Sequence, residues 1–183
     1  MDRRGLPASY GGTRFRSHLE ARWAIFFDQL GIKWEYEPQG FQLGDINYLP
    51  DFVAFTAFGT LWVEVKPSWD ADLSGVERWR AFAHSRPQPS RAALLIGAPS
   101  IEAEHIVIAG DDAANDPMRA GWEDGDQAWR PCIAGYHFDL AYGHESNYLT
   151  LQDGCPQHHG GDGNDRIDKA VEAALSHRFG KAA

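Results

Sequence analysis

Ala92-Ala93-Leu94-Leu95-Ile96-Gly97 is an uninterrupted apolar run closed by glycine, and it restricts the fold more than any other segment. A run of that length fits a strand, and a strand apolar on both sides needs cover on both faces of its sheet. Helical patterns of the right kind stand before it. Ser17-His18-Leu19-Glu20 reads as a capping box, with Glu20 reaching back to the Ser17 N–H. Leu19, Trp23, Phe26, Phe27 and Leu30 then recur at helical spacing, and Gly31 supplies the stop. Asp72-Leu73-Ser74 opens a second helix with Val76, Trp79, Phe82 and Ala83 on one side.

Strand signals fill the interval between these helices. Trp34-Glu35-Tyr36-Glu37 alternates before Pro38, and both glutamates read as a solvated strand face. Phe41-Gln42-Leu43 and the stretch from Tyr48 to Phe55 flank the turn at Gly44-Asp45. Leu61-Trp62-Val63-Glu64-Val65-Lys66 follows a turn around Gly59 and ends at Pro67. Glu104 to Ile108 predicts one more strand, Tyr136 to Leu140 another, and Arg166 to Phe179 a closing helix. Residues 1–13 read as a loose arm, 110–130 as an irregular insert, and Gly154 to Asp165 as a poorly ordered Gly/Asp/His-rich stretch. The predicted class is α/β, a mixed sheet flanked by helices, with residues 1–110 as the core domain and 111–183 as an acidic, loop-rich extension.

Charge follows the same division. The chain of 183 residues carries a formal charge of −9. Residues 1–100 hold eleven basic and eleven acidic side chains, whereas 101–183 hold six and fifteen. The core half is therefore neutral enough to meet a polyanion, and the acidic half suits a basic protein partner. No apolar run is long enough to span a membrane, and the polar start from Met1 lacks the apolar region of a secretory signal, so a cytoplasmic location is expected.

The chemistry-bearing residues lie at the ends of two predicted strands. Alternation puts Glu64 and Lys66 on one face with Trp62, and Leu61, Val63 and Val65 on the other. A hairpin brings Asp51, just after Pro50, close to Glu64. Two adjacent carboxylates repel unless a cation lies between them, and hard oxygen donors suit Mg²⁺ or Mn²⁺. Lys66 beside such an ion can orient or deprotonate a water, or offset charge building on a phosphate. Arg14, Arg16, Arg22, Arg78 and Arg80 are candidate phosphate contacts, with Arg16 and Arg22 foremost.

Pro50-Asp51 followed by Glu64-Val65-Lys66 resembles the signature of the PD-(D/E)XK nucleases, whose restriction-endonuclease-like core runs α-β-β-β-α-β. The resemblance covers roughly residues 14–100. The stretch from Phe15 to Trp23 is most similar to the opening of transposon-end and phage-type endonucleases, in which a helix glutamate, here Glu20, joins the site. The resemblance implies a metal-dependent DNA endonuclease. Asp51, Glu64 and the Val65 carbonyl would be metal ligands, Glu20 a supporting ligand and Lys66 the catalytic lysine. It also implies a homodimer as one way of cutting two strands. The alternative is a catalytically inactive module of the same fold serving DNA binding or protein assembly. Outside this core, Cys132, Cys155 and His158 are candidate zinc ligands, with His137 or His144 as a fourth; two ordinary cysteines beside a His-containing loop are the simpler reading.

Overall fold

The computed structural model describes residues 5–56, 59–68, 72–87, 90–100, 105–109, 140–143, 146–149 and 165–180. Its centre is a five-stranded mixed sheet. The strands are β3 (Lys33–Tyr36), β6 (Phe52–Thr56), β7 (Gly59–Lys66), β8 (Ser90–Ile96) and β9 (His105–Ala109), side by side in that order. The pairs β3–β6, β6–β7 and β8–β9 are antiparallel, while β7 and β8 run parallel. Parallel neighbours need a crossover, and helix α2 (Leu73–Ser85) provides it. Two hairpins stand apart from this sheet on the N-terminal side of β6: β1 (Ala8–Tyr10) with β2 (Thr13–Phe15), and β4 (Phe41–Leu43) with β5 (Ile46–Tyr48). A third pairs β10 (Leu140–Gly143) with β11 (Ser146–Leu149).

Both faces of the sheet are covered, as the Ala92–Ile96 run requires. Phe52, Ala54, Leu61, Val63, Val65, Ala93 and Leu95 face helix α1 (His18–Gln29). Val53, Trp62, Ala92, Leu94 and Ile96 face α2 through Val76, Trp79 and Phe82. The face of β7 that bears Glu64 and Lys66 is therefore a second core, with Trp62 as its centre. Helix α1 is apolar almost all round because α3 (Asp165–Ser176) lies on its outer side through Ala170 and Ala174. Trp23, Phe26 and Phe27 are fully buried there. A side chain of this kind contributes about 1.5–3 kcal/mol on burial.

The ends of α1 follow from named residues. Gly31 has φ +72°; its N–H reaches the Asp28 carbonyl at 3.0 Å and the Ile32 N–H reaches that of Phe27 at 2.9 Å. These two bonds make the Schellman stop that Gly31 predicts. At the other end Ser17 caps the helix, its hydroxyl accepting from the Glu20 N–H at 3.1 Å. The return half of the box differs from expectation. Glu20 accepts from the Arg16 N–H, one residue earlier than Ser17, at 3.1 Å. Its carboxylate thus extends past the cap toward β3.

Two further expectations are corrected. The arm at 1–13 contains a hairpin, because Gly11 and Gly12 both take positive φ (57° and 82°) and form a two-residue turn. Ala8 and Phe15 on that hairpin are buried. The strand expected from Tyr48 to Phe55 is broken at Leu49-Pro50-Asp51, with Pro50 offering no N–H to a ladder, and becomes β5 and β6. The expected strand beginning at Glu104 and the closing helix are present as β9 and α3. Of the strand expected over Tyr136 to Leu140, only Leu140 is described, as the start of β10. The 110–130 insert and residues 154–164 lie outside the described residues, as do Cys132, Cys155, His137, His144 and His158. Among the described residues no helix is long and apolar enough to cross a membrane.

Candidate active site

The site forms where β6 and β7 part. Their register pairs Phe52 with Val63, so Asp51 continues opposite Glu64. Pro50 ends the ladder, and the Asp51 side chain replaces it: its Oδ2 accepts from the Val65 N–H at 2.8 Å. A strand residue directs its N–H and C=O toward the same neighbour, so the Val65 carbonyl is turned to this edge too. The last residue of β7 is anchored separately, beside the site. Gly97, at φ +75°, donates its N–H to the Lys66 carbonyl at 2.8 Å, and its own carbonyl accepts from the Trp23 indole at 2.9 Å.

Three carboxylates of the chain converge here almost out of solvent: Glu20 is 9% exposed, Asp51 3% and Glu64 7%. Burial of an ion costs several kcal/mol unless partners replace its water, so each oxygen's partner matters. Glu64 lies between Tyr48, whose hydroxyl donates to Oε2 at 2.8 Å, and Lys66, whose Nζ is 2.8 Å from Oε1. Asp51 has the Val65 N–H on Oδ2 and the Arg16 guanidinium on Oδ1 at 2.5 Å. Glu20 accepts the Ser17 hydroxyl at 2.8 Å and the Tyr36 hydroxyl at 2.5 Å.

Around these stands a ring of further charges. Arg16 also reaches Glu37 at 2.9 Å, and Lys66 reaches Asp72 at 3.4 Å, with Arg78 3.8 Å from Asp72. Within these contacts the carboxyl groups of Glu20, Glu37, Asp51, Glu64 and Asp72 outnumber the cations Arg16, Lys66 and Arg78 by two. The imbalance shows on Asp51. Burial, then Glu64 and Glu20, push its carboxyl well above the ordinary range, and the Val65 N–H and Arg16 only partly offset them. Lys66 moves upward: burial works against its ammonium, but Glu64, Asp51 and Asp72 outweigh burial. It is therefore cationic at neutral pH, a charge donor more than a resting base. Burial and Glu64 likewise raise Tyr48 well above its usual value, so its hydroxyl keeps its proton.

Asp51, Glu64, Lys66 and Glu20 are thus brought together as expected, with Val65 beside them. Arg16 joins them, bonded to an acid. Arg22 does not. Its guanidinium donates to the Ala174 carbonyl and to that of Leu175 at 2.6 Å, and lies 5.6 Å over the Phe179 ring, so it fastens α3 to α1. Glu37 departs from the solvated-face reading. It is half-buried, paired with Arg16, and holds φ +46°, a conformation that costs a non-glycine residue about 1–3 kcal/mol. Its N–H is fixed by the Asp51 carbonyl at 2.9 Å. No protein-family model matches this chain, and no curated protein or solved structure matches it either.

Sequence reading missed Tyr36 and Tyr48. Each looks like an ordinary strand aromatic, and only the tertiary structure turns its hydroxyl onto a carboxylate. Asp72 is the helix start that the sequence predicts: its Oδ1 accepts from the Gly75 N–H at 3.0 Å. Its second contact, with Lys66, was not legible. A cleft of about 1050 Å³ opens over the cluster, lined also by Arg14, Arg78 and Leu49. As the side chains stand, no three acidic, imidazole or thiol groups among the described residues converge to hold an ion. Arg16 and Lys66 occupy the oxygens an ion would use.

Proposed function

We propose that this chain is a metal-dependent DNA endonuclease of the PD-(D/E)XK class. One observation carries the reading: Asp51 and Glu64, buried side by side where β6 and β7 separate, with Lys66 bonded to Glu64. Two further features support it. The cluster holds two more carboxyl groups than cations, and its donors are hard oxygens, which together fit Mg²⁺ or Mn²⁺. The strand order, with β7 and β8 parallel across α2, is compatible with the restriction-endonuclease-like core.

In this reading Asp51, Glu64 and the Val65 carbonyl hold the ion, with Glu20 supporting them. When bound, the metal supplies charge to the scissile phosphate and lowers the pKa of a water. The chain's own groups do the rest. The Val65 N–H and the Tyr48 hydroxyl each fix one oxygen of Asp51 and Glu64, so the opposite oxygens keep a defined direction. Lys66, held protonated between Glu64 and Asp72, stands ready to offset charge on phosphate oxygens. Zinc at Cys132, Cys155 and His158, a partner for the acidic half, a homodimer and a cytoplasmic location have no support beyond the sequence.

A second reading has its own observation. Asp51 and Glu64 each already hold an internal cation, which suits an inactive module of the same fold that binds DNA or a protein. Cleavage separates the two. Supercoiled and branched DNA incubated with Mg²⁺ or Mn²⁺ is expected to be nicked by wild type, and about 100-fold or more slowly by Asp51→Asn, Glu64→Gln and Lys66→Ala. Equal products from wild type and all three variants would remove the enzyme reading.

A further inference from the structure

Arg16 is bonded to the site through two different edges of its guanidinium. One terminal nitrogen lies on Asp51 Oδ1 at 2.5 Å, while Nε lies on Glu37 Oε1 at 2.9 Å and 3.3 Å from the Tyr36 hydroxyl. Losing the first contact leaves the second in place. The environments also differ: the Arg16 side chain is 58% exposed and Asp51 only 5%, so the arginine can leave a carboxylate that cannot follow it. Asp51 Oδ2 is taken by the Val65 N–H, so Oδ1 is the oxygen at which Asp51 can receive a cation from the cleft. Lys66 is the contrasting case, only 14% exposed and clasped by both Glu64 and Asp72.

We propose that Arg16 is an exchangeable cation of this site: it holds Asp51 Oδ1 until a divalent ion takes that oxygen, and then, still tethered to Glu37, contacts a phosphate of the bound strand. The inference rests on the nuclease reading and adds to it a catalytic residue that no part of the metal-ligand pattern contains. Three features make the exchange favourable. The ion brings two charges where the guanidinium brings one, into a cluster whose carboxyl groups outnumber its cations by two. The displaced guanidinium keeps Glu37 as an anchor and moves outward, into the cleft that Arg14 also lines. Its planar fork matches a phosphate as well as a carboxylate.

The exchange gives opposite signs for two measurements on one variant. Arg16→Gln is expected to bind Mn²⁺ several-fold more tightly than wild type, by calorimetric titration of the full chain without DNA. At saturating Mn²⁺ it is expected to cleave DNA about 100-fold more slowly in single turnover. Glu37→Gln, which loosens the anchor and also removes one acidic group from the cluster, is expected to slow cleavage without the tighter Mn²⁺ binding of Arg16→Gln. Weaker or unchanged Mn²⁺ binding by Arg16→Gln would overturn the proposal, since the arginine would then merely hold Asp51 in place. Cleavage by Arg16→Gln at the wild-type rate would overturn it as well. If wild type binds no Mn²⁺ and cuts nothing, the nuclease reading fails and the exchange with it. If wild type binds and cuts while Arg16→Gln matches it in both, only the exchange is lost.

Discussion

Tyr48 separates function from packing within a single side chain. Its ring stacks on Phe82 with centroids 4.7 Å apart, in the core between the sheet and α2, and its hydroxyl alone touches Glu64. Tyr48→Phe keeps the stack and deletes the donor. The Glu64 Oε2 atom then becomes a buried acceptor without a partner, a change that costs about 1–3 kcal/mol. Groups of this kind, one bond away from a ligand, typically change metal affinity by about 10–100-fold when removed. Tyr48→Phe is therefore expected to fold with a modestly lower Tm and to bind Mn²⁺ at least about tenfold more weakly. Unchanged Mn²⁺ affinity in calorimetry would show that the hydroxyl serves only the core. Neither this role nor that of Tyr36 was legible in the sequence. A hydroxyl aimed at a residue 16 positions away leaves no periodic trace.

At the scale of elements, the sequence is most readable where a local rule decides the structure. Gly31 ends α1 and Asp72 starts α2, each through backbone groups within a few positions. The alternation in β7 sorts Glu64 and Lys66 from Val63 and Val65 without reference to anything else. What stayed hidden depends on partners. Gly11-Gly12 is a legible hairpin turn, but with strands of only three residues each it takes the burial of Ala8 and Phe15 to hold it. The break at Pro50 is visible as a residue, yet the consequence, a carboxylate standing in for a ladder acceptor, is tertiary. Helix α2 offers a test of this division. Asp72 both caps the helix and holds Lys66, and Gly75 makes room for the pair, since an added Cβ would fall 2.1 Å from Asp72 Oδ2 and 2.8 Å from Lys66 Nζ. Asp72→Ala is expected to lose about 1 kcal/mol of stability together with activity. Asp72→Ser restores the cap without the charge. Its denaturation midpoint is expected to return to wild type while cleavage stays slow. Full recovery of cleavage in Asp72→Ser would reduce Asp72 to a helix cap.

For the molecule as a whole, the buried acid cluster sets stability against function. Asp51 holds its proton to a higher pH in the folded chain than in the unfolded one, chiefly because it is buried and faces Glu64 and Glu20. Between the unfolded value of about 3.9 and the raised folded value, the native state binds more protons. Stability therefore falls as pH rises through that window, and the loss persists at neutral pH. Asn at this position cannot ionise. Asp51→Asn is accordingly expected to melt a few degrees above wild type at pH 7.5, with the advantage vanishing as pH falls toward 4. Mg²⁺ or Mn²⁺ is expected to raise the Tm of wild type and leave Asp51→Asn unmoved, because only the native carboxylate gains a ligand. A variant that melts below wild type at pH 7.5 would mean that the Arg16 pairing outweighs burial and repulsion together. A gain in stability coupled to a loss of cleavage is the signature of a charge kept buried for chemistry, and a purely structural ion-pair cluster gives the opposite sign.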